Sequence, residues 1–290
     1  MQEVFTLLSP PLKGLLQETG IASPTPPQAE AIPLIMEGAN VLVIAPTGSG
    51  KTEAALLPLI DRMVRDPNRQ GISLLYITPL RALNRDLLKR LQIWSEKLHF
   101  TVEIRHGDTP AADRRRMASK PPDFLITTPE TLQAVLPGKR MRHHLRHVKA
   151  VVIDEIHELA GDRRGVQLTV GLERLREVCP NGFQRVGLSA TVGNPEEIAT
   201  FLGGIEPVKI VQIPLSRDTR YKIEYPLPGE EDQELARRLY TAPEAAARLA
   251  LVSDLVEAHD STLIFVNSRI NAEMLGSKFN MMDQNIMVHH

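Results

Sequence analysis

Between residues 41 and 190, short apolar runs rich in β-branched side chains alternate with amphipathic stretches, the rhythm of repeated strand-and-helix units. The runs at 41–45, 73–78, 101–105, 123–127, 150–154 and 185–189 are nearly all apolar, as strands covered on both faces require. This pattern predicts an α/β fold, a parallel sheet with helices on both faces. Residues 166–178 place Val166, Val170, Leu172, Leu175 and Val178 along one helical stripe, which Pro180, Asn181 and Gly182 end. Residues 195–202 read as a short helix before Gly203 and Gly204.

Beyond that point the rhythm changes. Residues 208–213 and 221–225 read as an outlying strand pair or linker, and the acidic, Pro-rich stretch 224–234 also reads as linker. A second rhythm follows: an Ala-rich helix over 243–258, a strand over 262–266, a helix from Ile270 to about Phe279, and a strand-like 286–288. The expected organisation is a first domain over 1–205, a linker with strand-like segments over 206–240, and the opening part of a second domain over 241–290.

Composition narrows the class. With 42% hydrophobic and 24% charged residues, 18 Gly and 22 Pro, the chain is neither disordered nor collagenous. No run approaches the roughly 18 apolar residues of a membrane span. Cys179 stands alone, which excludes an internal disulfide and a Cys-rich metal site. The amino terminus carries Glu3 and no basic leader, so a reducing, cytoplasmic setting is expected. The net charge of -1 hides an uneven distribution. No acidic residue lies between Thr131 and Ile153, where Lys139, Arg140, Arg142, Arg146 and Lys149 accompany His143, His144 and His147. Such a cluster is either a nucleic-acid footprint or a solvated basic face.

The run at 41–45 leads into Ala45-Pro46-Thr47-Gly48-Ser49-Gly50-Lys51-Thr52, a phosphate-loop pattern with Ala45 in place of the first glycine. Gly48 and Gly50 let the backbone curl so that its amides point inward, flanked by Thr47 and Ser49. The following helix adds its positive end, Lys51 reaches the outer phosphates of ATP, and Thr52 is placed to ligate Mg²⁺. The run at 150–154 delivers Asp154 and Glu155 at its carboxyl end, the edge where parallel sheets bind ligands. Asp154 suits holding Mg²⁺ through water, and Glu155 suits deprotonating the attacking water.

With Asp154-Glu155-Ile156-His157 beside the phosphate loop, the sequence resembles superfamily 2 helicases of the DExH type. Thr25-Pro26-Pro27-Gln28 resembles the adenine-recognising Gln motif, the segment 78–83 motif Ia, the segment 127–132 motif Ib, Ser189-Ala190-Thr191 motif III, and the segment 263–269 motif IV. The stretch 155–165 followed by Leu172-Glu173-Arg174-Leu175 is most similar to the prokaryotic large helicase-related (Lhr) proteins. The resemblance implies a RecA-like domain followed by the start of a second, and ATP-driven translocation, chiefly 3′ to 5′, on single-stranded nucleic acid, DNA or an RNA:DNA hybrid. It implies adenine recognition by Gln28 and coupling of hydrolysis to strand movement by His157, Ser189 and Thr191. It also implies nucleic-acid contacts from Thr78, Pro79, Arg81, Gly107, Thr128 and Pro129, with Asn267 and Arg269 in the second domain. Motifs V and VI, which carry arginine fingers, are expected beyond residue 290, so weak turnover is expected of these residues alone. An ATP-regulated binding module without unwinding is the alternative.

Overall fold

The computed structural model describes residues 4–79, 81–190, 192–214, 221–284 and 286–288, and the side chains of all of these except 81–86. Seven strands form one sheet: β1 (Asn40–Ile44), β2 (Leu74–Ile77), β3 (Val102–Arg105), β4 (Phe124–Thr127), β5 (Ala150–Ile153), β6 (Gln184–Ser189) and β7 (Val208–Gln212). Their order is β3-β4-β2-β5-β6-β1-β7, and every pairing is parallel. The α/β fold expected from the alternating pattern is the fold observed. All strands therefore end at one edge of the sheet, and the segments that follow them share that edge.

Period-two alternation sorts the strand residues onto two faces. Val41, Val43, Leu74, Tyr76, Val152 and Val186 enter one core with the helices Pro26–Met36, Lys51–Val64 and Arg81–Leu98. Leu42, Ile44, Leu75, Ile77, Val151 and Ile153 enter the other, against Arg163–Val178 and Pro195–Gly203. The inner strands β2, β4, β5 and β6 are buried along their length, whereas β3 and β7 are half-covered because they are the edges. Trp94 and Phe100 pack in the first core.

Two expectations about the first unit are corrected. Residues 208–212 are not an outlying strand: β7 pairs with β1 from Asn40↔Val208 to Ile44↔Gln212. Its polar character, Lys209 and Gln212 among apolar residues, is that of an edge strand. The stripe on helix Arg163–Val178 was also misplaced. Leu168, Gly171, Leu172 and Leu175 are buried, while Val166 and Val170 are 65% and 48% exposed. At 100° per residue those two valines lie on the opposite face from Leu168 and Leu175.

Contacts divide the chain into Met1–Ser216 and Arg217–His290. The second unit has helices Glu230–Arg238, Pro243–Glu257 and Arg269–Met281 around a small core of Leu239, Leu249 and Phe279. Its expected strands at 221–225, 262–266 and 286–288 carry no ladder among the described residues. A strand is defined by its neighbour, and without one Leu263 and Phe265 stay 78% and 85% exposed. No described helix is long and apolar enough to cross a membrane.

Candidate functional site

The carboxyl edge of the sheet carries one cleft of about 370 Å³, lined by Thr47, Gly48, Gly50, Lys51, Thr52, Tyr76, Asp154 and Glu155 among others. The strand order explains this meeting. Only β6 separates β1, which ends at the phosphate loop, from β5, which ends at Asp154. Gly48 and Gly50 have φ of 76° and 88°, backbone that side chains with a Cβ rarely adopt. Gly50 is also the N-cap of helix Lys51–Val64. A Cβ there would stand 2.5 Å from Gln28 Nε2.

Gln28 is buried and faces inward. Its Oε1 accepts from the Thr25 backbone N–H at 3.1 Å, and its Nε2 donates to Gly50 O at 3.4 Å. The Gln motif is thereby tied to the phosphate loop, leaving one amide hydrogen and one lone pair of the side chain unengaged by these bonds. Lys51 Nζ donates to Ala45 O at 2.6 Å and Pro46 O at 3.0 Å, so the ammonium lies within the loop. Burial lowers its pKa, against the opposing pull of Glu155 and Asp154. The loop fits a phosphate chain: Ser49 Oγ is buried there without a hydrogen-bond partner among the described residues. The oxygens of Thr52 and Asp154 fit a hard divalent cation such as Mg²⁺.

Asp154 is held at both oxygens. Tyr76 Oη donates to Oδ2 at 2.5 Å, and the Glu155 backbone N–H donates to Oδ1 at 3.0 Å. Burial raises the Asp154 pKa despite these two donors. Glu155 has φ 47° and ψ 45°, a left-handed conformation that costs a non-glycine residue roughly 1–2 kcal/mol. Burial, and then the Asp154 charge, raise its pKa as well. A carboxylate with a raised pKa beside a phosphate cradle is a chemically competent base for water.

His157 Nδ1 lies 2.9 Å from Ser189 Oγ and 3.5 Å from Glu155 Oε2. Ser189 is fully buried, and its backbone oxygen accepts from Ala45 N–H at 3.1 Å. One residue of β6 thus touches the root of the phosphate loop and the histidine after the acidic pair. Thr191 lies outside the described residues, as do Leu80 and the Arg81 side chain.

The expected nucleic-acid residues of the first unit follow β2, β4 and β3, adjacent strands at the far side of the same edge. Thr78 and Pro79 are buried after β2. Thr128 Oγ1 caps helix Pro129–Val135, accepting from Thr131 N–H at 3.4 Å, with Pro129 in its first turn. Gly107 is exposed, and its carbonyl accepts from Arg114 at 3.1 Å. Asn267 and Arg269 are exposed at the start of helix Arg269–Met281 in the second unit. The basic run lies elsewhere: helix Lys139–Leu145 and Lys149 precede β5, at the amino edge of the sheet, where His144 O accepts from Ile72 N–H.

Two residues escaped the sequence reading. Tyr76 is hidden as one aromatic residue within an apolar run. Arg164 donates to Pro79 O at 3.2 Å and to Glu130 Oε1 at 2.5 Å, joining the segments after β2 and β4. Its position in the 155–165 stretch was noticed, but nothing local to that stretch names its partners.

Comparison with known proteins places this geometry. The chain is 43% identical over 277 residues to a Lhr helicase/probable uracil glycosylase of Mycolicibacterium smegmatis, covering 90% of this chain and 18% of that relative. It is 38% identical over 282 residues to an ATP-dependent helicase Lhr-Core of Sulfolobus acidocaldarius, covering 90% and 31%. The structure of Mycobacterium smegmatis helicase Lhr bound to ssDNA and AMP-PNP superposes with a TM-score of 0.81 at 39% identity, covering 97% of this chain and 36% of that one. The chain therefore spans about a fifth to a third of the length of these relatives. The DEAD/DEAH box helicase family model matches residues 25–198, from the Gln motif past the Ser189 turn. That match covers more than half of the chain, which belongs to the DEAD/DEAH box helicase family.

Proposed function

We propose that the protein is an ATP-dependent nucleic-acid helicase or translocase of the Lhr type, and that the described residues form its ATP-binding part and the start of its second RecA-like domain. The observation that carries this reading is the meeting of Lys51, Thr52, Asp154 and Glu155 in one cleft, wired through Ser189 to His157. Single-stranded nucleic acid, DNA or one strand of an RNA:DNA hybrid, lies along the ends of β2, β4 and β3. There backbone amides, buried threonines and helix starts suit phosphate contacts that position a strand without reading its bases. The likeness to a cytoplasmic, nucleoid-associated machine fits a chain without a membrane-spanning helix.

In the reaction, the loop from Thr47 to Gly50 cradles the phosphates and Lys51 neutralises the outer charge. Gln28 keeps the loop in register and offers its remaining donor and acceptor to the adenine edge. Thr52 and Asp154 hold Mg²⁺, which supplies charge compensation to the phosphates. Glu155 Oε2 takes the proton of the attacking water, and its contact with His157 passes the change in charge to Ser189.

The test is ATP hydrolysis by this chain and by the full-length protein, with and without single-stranded DNA or RNA, using Lys51→Ala as the blank. Lys51-dependent turnover stimulated by nucleic acid in the full-length protein supports the reading. Nucleotide-controlled binding without duplex separation would favour the binding-module alternative. No Lys51-dependent nucleotide binding would refute both.

A further inference from the structure

We infer that Tyr76 is a positioning residue that holds Thr52 and Asp154 as one prealigned pair through a hydrogen-bond chain of fixed direction. This rests on the proposed use of those two side chains to hold Mg²⁺.

Direction follows from counting protons. A phenol has one hydrogen, and an ionised carboxylate can only accept. The bond from Tyr76 Oη to Asp154 Oδ2 at 2.5 Å therefore engages the phenol hydrogen. Thr52 also hydrogen-bonds Tyr76, and with that hydrogen engaged, Thr52 must be the donor. The chain runs Thr52 to Tyr76 to Asp154. Its consequence is that the Thr52 hydrogen is aimed at Tyr76, while its oxygen lone pairs remain for a cation. At the other end, Asp154 Oδ1 accepts from the Glu155 backbone N–H, so neither carboxylate oxygen is free to swing.

The scaffold makes the arrangement rigid. Tyr76 is 1% exposed on β2, between β4 and β5, with its ring 6.4 Å from that of Phe124. Ile77 O accepts from Asp154 N–H at 2.8 Å, so the backbones next to both side chains are fixed as well. A phenylalanine fills the same space and packs on Phe124 but cannot bridge the two oxygens.

The experiment is Tyr76→Phe in the full-length protein, with the affinity for a fluorescent non-hydrolysable ATP analogue measured across a Mg²⁺ titration and in EDTA. The wild type gains affinity with Mg²⁺. Tyr76→Phe is expected to keep the EDTA affinity and to need about tenfold more Mg²⁺ for the gain, the scale of one charge-assisted hydrogen bond. Thr52→Ala combined with Tyr76→Phe is expected to be no worse than Thr52→Ala alone, because the two act in one chain. A Mg²⁺ titration unchanged from wild type, with or without a lower Tm, overturns the inference and leaves Tyr76 a packing residue. A wild type whose affinity ignores Mg²⁺ overturns instead the assignment of Thr52 and Asp154 on which it rests.

Discussion

His157 Nδ1 and Ser189 Oγ stand 2.9 Å apart, joining the segment after β5 to the last residue of β6. Because Ser189 O also receives Ala45 N–H, removal of the hydroxyl leaves the loop anchored and cuts only the histidine branch. Ser189→Ala in the full-length protein is expected to lower unwinding roughly 2–10-fold more than ATP turnover, the worth of one net hydrogen bond. Replacing Thr191 as well should widen the gap. Parallel measurement of both rates checks this, and an equal loss of the two would sink it.

Glu155 and Lys51 set opposite limbs of a pH profile. A raised carboxylate pKa means that, as pH falls, the base form of Glu155 is lost at a higher pH than the ordinary value of 4.5. A lowered ammonium pKa means that, as pH rises, Lys51 discharges before the ordinary 10.5. The kcat profile is expected to be narrower than ordinary residues would give, with its acid limb shifted upward. An acid limb at or below the ordinary glutamate value contradicts this.

Arg164 links Pro79 O to Glu130 across the proposed strand-binding edge. Arg164→Ala is expected to weaken single-strand binding up to about fivefold, as befits a partly exposed pair worth at most about 1 kcal/mol. Nucleotide affinity should not change. Fluorescence anisotropy with a labelled oligonucleotide and a nucleotide titration separate the two effects.

Gly165 has no room for a side chain: a Cβ would sit 1.9 Å from Leu159 O, which is backbone and cannot step aside. Gly165→Ala must move helix Ile156–Ala160 or helix Arg163–Val178, at a cost of roughly 1–3 kcal/mol or more. Denaturant unfolding measures it, and a loss below 0.5 kcal/mol, the scale of an ordinary surface change, would show that the turn has slack.

Cys179 is buried, with Sγ bonded to Leu145 O at 3.2 Å, and burial pushes its thiol up to about 11. At pH 8 roughly one thiol in a thousand is ionised, so alkylation of the native protein is expected to be far slower than in denaturant. Mass spectrometry after timed iodoacetamide exposure tests this, and equal rates would contradict the burial.

The alternating pattern located the inner strands because burial on both faces leaves a local trace, an unbroken apolar run. The phosphate loop and the Asp154–Glu155 pair were legible for a similar reason: their chemistry demands particular residues at fixed spacing. What the sequence hid was pairing across distance. Residues 208–212 looked like linker because an edge strand carries polar residues, and only its ladder with β1 identifies it. Tyr76 was invisible because its partner Asp154 lies 78 positions away. The basic run showed its charge but not its address, which depends on where helix Lys139–Leu145 enters β5.

The edge strand has a mechanical meaning. The chain leaving β7 does so beside the phosphate loop, with Ile213 N–H bonded to Ile44 O at 2.8 Å, one residue before Ala45. A pull on the downstream chain along this exit loads the parallel β7–β1 ladder in shear, where its bonds resist together rather than peeling one by one. Tension from whatever follows thus arrives at the root of the nucleotide cradle through a stiff coupling, giving the motor a built-in path between load and fuel site.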